Sequence, residues 1–189
     1  MVIVFLANGF EEIEALTPVD FLRRAGAEVL TVAIEKGGAR GREVMGAHGI
    51  PVLADVAEAD FTLPEQSELV ILPGGMPGAT KLDDSPLIDG VLYTAAERGA
   101  YLAAICAAPL VLGHRGFLNG KRATCYPGFE GELDGAICQS SCAVVHDGNI
   151  ITSPGMGAAQ DFSLKLVELL FDRDRADALR RGVMTPGCS

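Results

Sequence analysis

Cys106 carries the strongest case in this chain for covalent chemistry. It lies in Tyr101-Leu-Ala-Ala-Ile-Cys-Ala-Ala-Pro109, where an apolar run stops at a cysteine and small residues take over. The run 101–105 has the pattern of a strand covered on both faces, and 107–113 suits a helix with Pro109 in its first turn. A side chain at such a strand-to-helix turn is pushed out of the sheet. The tight bend demands small residues two before and two after, and Ala104 and Ala108 meet that demand. This is the arrangement of a nucleophile elbow, with cysteine in place of serine. A thiol there faces the positive end of the following helix, so its expected pKa is below the free value of roughly 8.5. A plain buried cysteine fits the same pattern equally well.

Two further stretches offer groups that could act on such a thiol. Among Glu11, Glu12 and Glu14, the last lies off the Ile13, Leu16 stripe yet close to the end of the preceding apolar run. Beside a thiolate, a buried Glu14 carboxyl is pushed toward its protonated form and can serve as general acid and base. The alternative makes all three glutamates solvated first-turn residues that favour the helix dipole. After Leu69–Leu72 comes Pro73-Gly-Gly-Met-Pro-Gly78, and the adjacent Gly74 and Gly75 permit a backbone that exposes N–H groups to a ligand. The N–H groups of Gly75 and Ala107 are the candidates to hold an oxyanion.

These groups meet only if particular elements position them. Val2 to Ala7 reads as a central strand, followed by a helix within 11–25 that Pro18 is expected to kink or break, leaving the helix proper to run from about Pro18. Residues 28–34 read as the second strand, 42–54 as a short hairpin, 55–60 as ambiguous and 61–66 as loop. Residues 69–72 make a third central strand, 86–98 a helix, 101–105 the strand before Cys106 and 122–126 a short strand. Residues 142–146 and 150–153 read as a hairpin, 157–171 as a strong helix, 173–181 as a last short helix and 184–189 as a tail. Strands alternating with helices at this spacing predict a single α/β domain over residues 1–189, with a mostly parallel sheet and helices on both faces. In such sheets ligands gather at the carboxyl ends of the strands. Residues 8–14, residues 73–78 and Cys106 all follow directly after central strands, so all should emerge at one edge.

Composition narrows the partners. The 189 residues are 49% hydrophobic and 21% charged with a formal net charge of −10, which argues against a nucleic-acid backbone or an anionic membrane surface. The apolar start has no basic leader and is interrupted at Asn8, Glu11 and Glu12, so it reads as neither signal peptide nor span, and a cytoplasmic location is expected. Cys106, Cys125, Cys138, Cys142 and Cys188 are then expected to be free thiols. No metal site is expected, since Cys138 and Cys142 lack zinc-knuckle spacing and His48, His114 and His146 are scattered.

Three blocks carry a family resemblance: Gly9-Phe-Glu-Glu-Ile-Glu-Ala15 with Pro18-Val-Asp20, Leu72-Pro-Gly-Gly75, and Ala103-Ala-Ile-Cys-Ala-Ala-Pro109. In that order they resemble the signature blocks of the ThiJ/PfpI superfamily, most closely its DJ-one branch, to which the parkinsonism-associated protein deglycase belongs. The resemblance runs on through Thr152-Ser-Pro-Gly-Met-Gly157. It implies a flavodoxin-like three-layer sandwich, a homodimer, no cofactor, Cys106 as the reactive thiol with Glu14 as its carboxyl partner, and an oxyanion pocket from Gly75 and Ala107. It implies in turn a glutathione-independent glyoxalase or deglycase acting on a small reactive aldehyde or a glycated protein or nucleotide. The alternative within the same branch is an oxidative-stress sensor or redox-regulated chaperone working through oxidation of Cys106.

Departures from the pattern are Tyr126 where the parkinsonism-associated member has a histidine near the cysteine and bacterial relatives of the branch often have an aromatic, His48 at the place of a pocket-rim arginine, and Pro154 before the Gly-x-Gly. Tyr126 can donate a hydrogen bond, but with a pKa near 10 it is a poor base at neutral pH. An amidotransferase of this fold would need a later His-x-Glu pair, whereas the only later histidine stands in His146-Asp-Gly. The protease branch has histidine directly after the cysteine, where this chain has Ala107.

Overall fold

The computed structural model describes residues 1–35, 38 and 40–185. The chain runs β1 (Val2–Leu6), α1 (Glu12–Arg24), β2 (Val29–Ala33), β3 (Glu43–Met45), β4 (Pro51–Leu53), β5 (Val56–Ala57), β6 (Leu69–Leu72), α2 (Gly78–Asp83) and α3 (Pro86–Glu97). It continues through β7 (Tyr101–Ile105), α4 (Pro109–His114), β8 (Arg122–Ala123), β9 (Ile137–Cys138), β10 (Val145–Asp147), β11 (Ile150–Ser153), α5 (Ala159–Leu170) and α6 (Arg173–Gly182). Seven strands form the central sheet in the order β10-β11-β7-β6-β1-β2-β5, parallel throughout except for the β10–β11 pair.

The central strands are unbroken apolar runs because both their faces are covered. Along β1, Ile3 and Phe5 enter a core built with α2, α3 and α4, whereas Val2, Val4 and Leu6 enter a second core built with α1, α5 and α6. The result is the three-layer α/β sandwich expected from the alternation of strand and helix. All the parallel strands point the same way, so the ends of β1, β6, β7 and β11 open on one edge.

Several local expectations change. Pro18 does not break its helix: α1 is continuous over Glu12–Arg24. Burial of Ala15, Val19 and Leu22 in the second core holds the helix together across the N–H that proline lacks. The strand expected over 122–126 shrinks to β8, which pairs in parallel with β9 in a separate two-stranded ribbon. The ambiguous 55–60 divides into the edge strand β5 and a 3-10 turn at Glu58–Asp60, and α2 was not anticipated. The helix after Cys106 starts at Pro109 and spans only six residues. Among the described residues no helix is long and apolar enough to cross a membrane.

Candidate active site

Cys106 occupies the bend between β7 and α4 with φ at 64°, a left-handed conformation that a non-glycine residue adopts only where its surroundings impose it. Those surroundings are visible. The Cys106 N–H donates to the Ser153 carbonyl at the end of β11 (2.9 Å), and the Tyr126 N–H donates to the Cys106 carbonyl (2.8 Å). Ala104 and Ala108 beside the bend are fully buried, as the tight turn requires.

The structure brings Glu14 to this thiol. Its side chain is 1% exposed, hydrogen-bonds with Cys106, and accepts the Gly74 N–H at 3.1 Å and the Met156 N–H. Burial pushes the Glu14 carboxyl up to about 7; the thiol contact and the two N–H groups oppose this, and the Glu11 charge adds to it. The backbone N–H groups of Gly75 and Ala107 point at the Cys106 sulfur. Gly74 does something different from the exposed donor expected of it. Its N–H is committed to Glu14, and a Cβ there would lie 2.5 Å from the Cys106 Cβ and 2.6 Å from Glu14 Oε2. Only glycine lets the loop back directly onto the pair. Gly75, at φ 85°, is held against the backbone of Gly9–Glu11.

The helix dipole is not the main influence on this thiol. Helix α4 is too short for a strong dipole, and burial together with the adjacent Glu14 carboxylate pushes the Cys106 thiol up to about 12, against the two N–H groups. That holds while Glu14 is ionised. A proton on Glu14 removes the like charge and turns the carboxyl into a donor to sulfur, so the same contact then favours the thiolate. Cys106 and Glu14 thus share one negative charge, and the position of one proton decides which atom carries it.

Tyr126 reaches the site through its backbone, and its half-exposed ring lies beside Gly155. Ring and glycine line a groove of about 480 Å³ with Pro127, Cys142, Pro154 and Met156. The Cβ position of Gly155 is 3.7 Å from Glu14 Oε1, so the groove abuts the carboxylate side of the pair. A separate cavity of about 380 Å³ between α5 and α6 contains none of these residues. His48 does not enter the groove: its ring meets Glu12 Oε2 at 2.9 Å and Glu11 Oε2 at 3.5 Å. Glu11, Glu12 and His48 are the one close group of metal-type ligands among the described residues, and both Glu12 oxygens are already occupied by His48. Cys106, Cys125, Cys138 and Cys142 are free thiols, and Cys188 lies outside the described residues.

Sequence reasoning missed Ser153, Gly155 and Met156. The strand-end rule applies to them too, but the hairpin of β10 and β11, which the structure contains, does not by itself reveal the second pairing of β11. Its parallel pairing with β7, Ser153 opposite Ile105, places residues 154–156 at the same edge.

The model of the DJ-1/PfpI family matches residues 1–169. Protein dj-1beta of Drosophila melanogaster is 34% identical over 183 residues, covering 96% of this chain and 95% of its own. The crystal structure of Drosophila melanogaster DJ-1beta superposes with a TM-score of 0.89 at 33% identity, covering 98% of each chain. The glutathione-independent glyoxalase DJR-1.2 of Caenorhabditis elegans is 34% identical over 170 residues, covering 89% of this chain and 87% of its own.

Proposed function

The chain belongs to the DJ-1/PfpI family, and from that premise we propose that it is a cysteine-dependent enzyme acting on 2-oxoaldehydes or their early adducts on proteins or nucleotides. The observation that carries this reading is the buried contact between Cys106 and a Glu14 carboxyl whose pKa is pushed up to about 7. A carboxyl with that value gives and takes a proton at neutral pH with little cost either way. Similarity to a relative named as a glutathione-independent glyoxalase supports the same reaction class.

The chemistry follows from the placement. Glu14 takes the thiol proton, and Cys106 Sγ bonds to the aldehyde carbon, giving a hemithioacetal whose oxygen receives a proton. Glu14, having passed the thiol proton to that oxygen, then removes the proton on the carbon and returns it to the neighbouring carbonyl carbon, while the hydroxyl proton passes to the neighbouring oxygen, leaving a 2-hydroxy thioester. Water cleaves the C–S bond, restores the thiol and releases a 2-hydroxy acid, which is lactate when the substrate is methylglyoxal. The N–H groups of Gly75 and Ala107, which point at the sulfur, would take up the developing oxyanion. A homodimer belongs to this reading, and the exposed Ile13, Met45, Ile50 and Leu53 offer apolar surface for it.

Purified protein is expected to form lactate from methylglyoxal without glutathione, and Cys106→Ser to form none. Wild-type lactate no higher than that of the variant refutes the reading. One feature favours a second role: two N–H groups and a carboxyl around sulfur would equally hold the oxygens of a sulfinate. Under mild peroxide, mass spectrometry should then find two oxygens on Cys106 before the exposed Cys138 is oxidised. Oxidation scattered over all the cysteines removes that role.

A further inference from the structure

His114 closes α4, and both of its ring nitrogens end on carboxylates. Nδ1 lies 2.7 Å from Asp83 Oδ2, and Nε2 lies 3.0 Å from Glu132 Oε2. A carboxylate only accepts, so both bonds exist together only when both nitrogens carry protons. The geometry is that of an imidazolium held between two anions.

What these bonds secure is seen at the other ends of the same segments. Asp83 is the last residue of α2, a helix entered directly from the Gly74–Gly75 loop that backs onto Cys106. Glu132 ends the stretch that begins at Tyr126, whose N–H holds the Cys106 carbonyl in its left-handed bend. That stretch is tied internally by Phe129 N–H to the Tyr126 carbonyl (3.1 Å) and Glu132 N–H to the Phe129 carbonyl (3.0 Å). Gly113 lies so close to the Glu132 carbonyl that a Cβ would collide with it, so α4 and this strap are in direct contact. Helices α2 and α4 have six residues each, too few for their own hydrogen bonds to fix them, so ties to neighbours set their positions.

We propose that His114 is a positioning residue for Cys106: protonated, it pins the far ends of α2 and of the 126–132 strap to α4, keeping the Gly75 N–H and the elbow carbonyl's support in place around the sulfur. Loss of the ring proton leaves only one of the two carboxylates bonded, so the pin is released as pH rises. The groups that face the ring set this response. They are Asp83 from α2, Asp89 and Tyr93 from α3, Arg115 directly after α4, and Glu132 from the strap. Arg115 donates to both Asp83 and Asp89, and the Tyr93 hydroxyl donates to the Arg115 carbonyl. Burial lowers the His114 pKa, but the bonds and charges of Asp83 and Glu132 outweigh it, and the net direction is up from 6.5. The contribution is therefore complete below the unfolded value and lost as pH rises through the folded one.

The inference rests on Cys106 being the reactive thiol, and the test separates the two. The probe is iodoacetamide, with Cys106 carbamidomethylation followed by mass spectrometry from pH 6 to 10 and the His114 ring nitrogens followed by NMR. His114→Gln is expected to alkylate about threefold more slowly at pH 7 and to reach the wild-type rate at pH 10, because a displaced Gly75 N–H no longer favours the thiolate. A variant that only melts earlier, with an unchanged pH profile, overturns the proposal. So does a His114 ring singly protonated at pH 7 in the wild type. Should His114→Gln fail to fold, Glu132→Gln removes one arm at a half-exposed carboxylate. Its His114 pKa must then fall and the Cys106 profile shift in the same direction as predicted for His114→Gln; a fixed profile overturns the proposal. If Cys106→Ser forms lactate from methylglyoxal as fast as the wild type, the reading of Cys106 as the reactive thiol fails instead.

Discussion

Glu12 and Glu14 stand two residues apart in the first turn of α1, and both are sealed from water, at 3% and 1% exposure. Their protons behave in opposite ways. Burial raises both, but at Glu12 the His48 ring and the N–H groups of Glu12, His48 and Ile50 outweigh it and hold the carboxyl below its ordinary value. At Glu14 the donors are a thiol and two N–H groups, and the carboxyl ends up at about 7. Two residues turn a helix by about 200°, so the side chains leave on opposite sides. One meets the β3–β4 turn, where Gly46 leaves no room for a Cβ beside it, and the other meets Gly74 and the elbow. Burial alone therefore assigns neither role; the number and kind of donors at each carboxylate separates a structural clamp from a proton carrier.

The sharpest way to break this contrast is Glu14→Gln. With no carboxyl to move protons between carbons, lactate formation should fall by about 10²-fold or more. Stability should move the other way. The wild-type carboxyl ionises near 4.5 when unfolded and at about 7 when folded, so the folded state loses stability as pH rises across that interval. The amide has no such slope, and the variant should gain on the order of 2–3 kcal/mol relative to wild type between pH 5 and pH 8. Thermal melts at both pH values check the sign. A variant that stays within tenfold of wild-type turnover, or melts below it at pH 8, would make Glu14 a second clamp and erase the difference.

How far the contrast was legible in the sequence depends on which contacts were local. The strand-end rule placed Glu14, Gly75 and Cys106 on one edge, because parallel direction is set by short-range alternation of strand and helix. The rule does not say which N–H points where, so it offers Gly74 as an exposed donor when it serves Glu14. His48 was read from its resemblance position as part of the pocket rim. Its actual partner, Glu12, is 36 residues away, and the turn of the β3–β4 hairpin that carries His48 back to it follows from no local pattern. The elevated thiol escaped for a similar reason: a helix dipole follows from pattern, whereas the opposing charge of Glu14 depends on side-chain geometry.

A smaller effect sharpens the other side of the comparison. Glu12→Gln should leave turnover within about twofold, since this carboxylate touches neither Cys106 nor the groove. It should lower the melting temperature near pH 6, because a neutral amide accepts the His48 N–H less well and offers its NH₂ to a ring that needs an acceptor. The deficit has a window with two edges. Glu12 is depressed below 4.5, so its contribution is present above that value and fades as pH falls through the folded one. His48 is raised above 6.5, by its bond to Glu12 first and by the charges of Glu11 and Glu12 next, so its contribution is present below 6.5 and fades as pH rises through the folded value. The difference in melting temperature between wild type and Glu12→Gln should therefore be widest between about pH 5 and 6.5 and narrow on both sides. A difference that instead grew steadily toward high pH would mean that His48 adds nothing and that the backbone N–H groups alone hold Glu12 down.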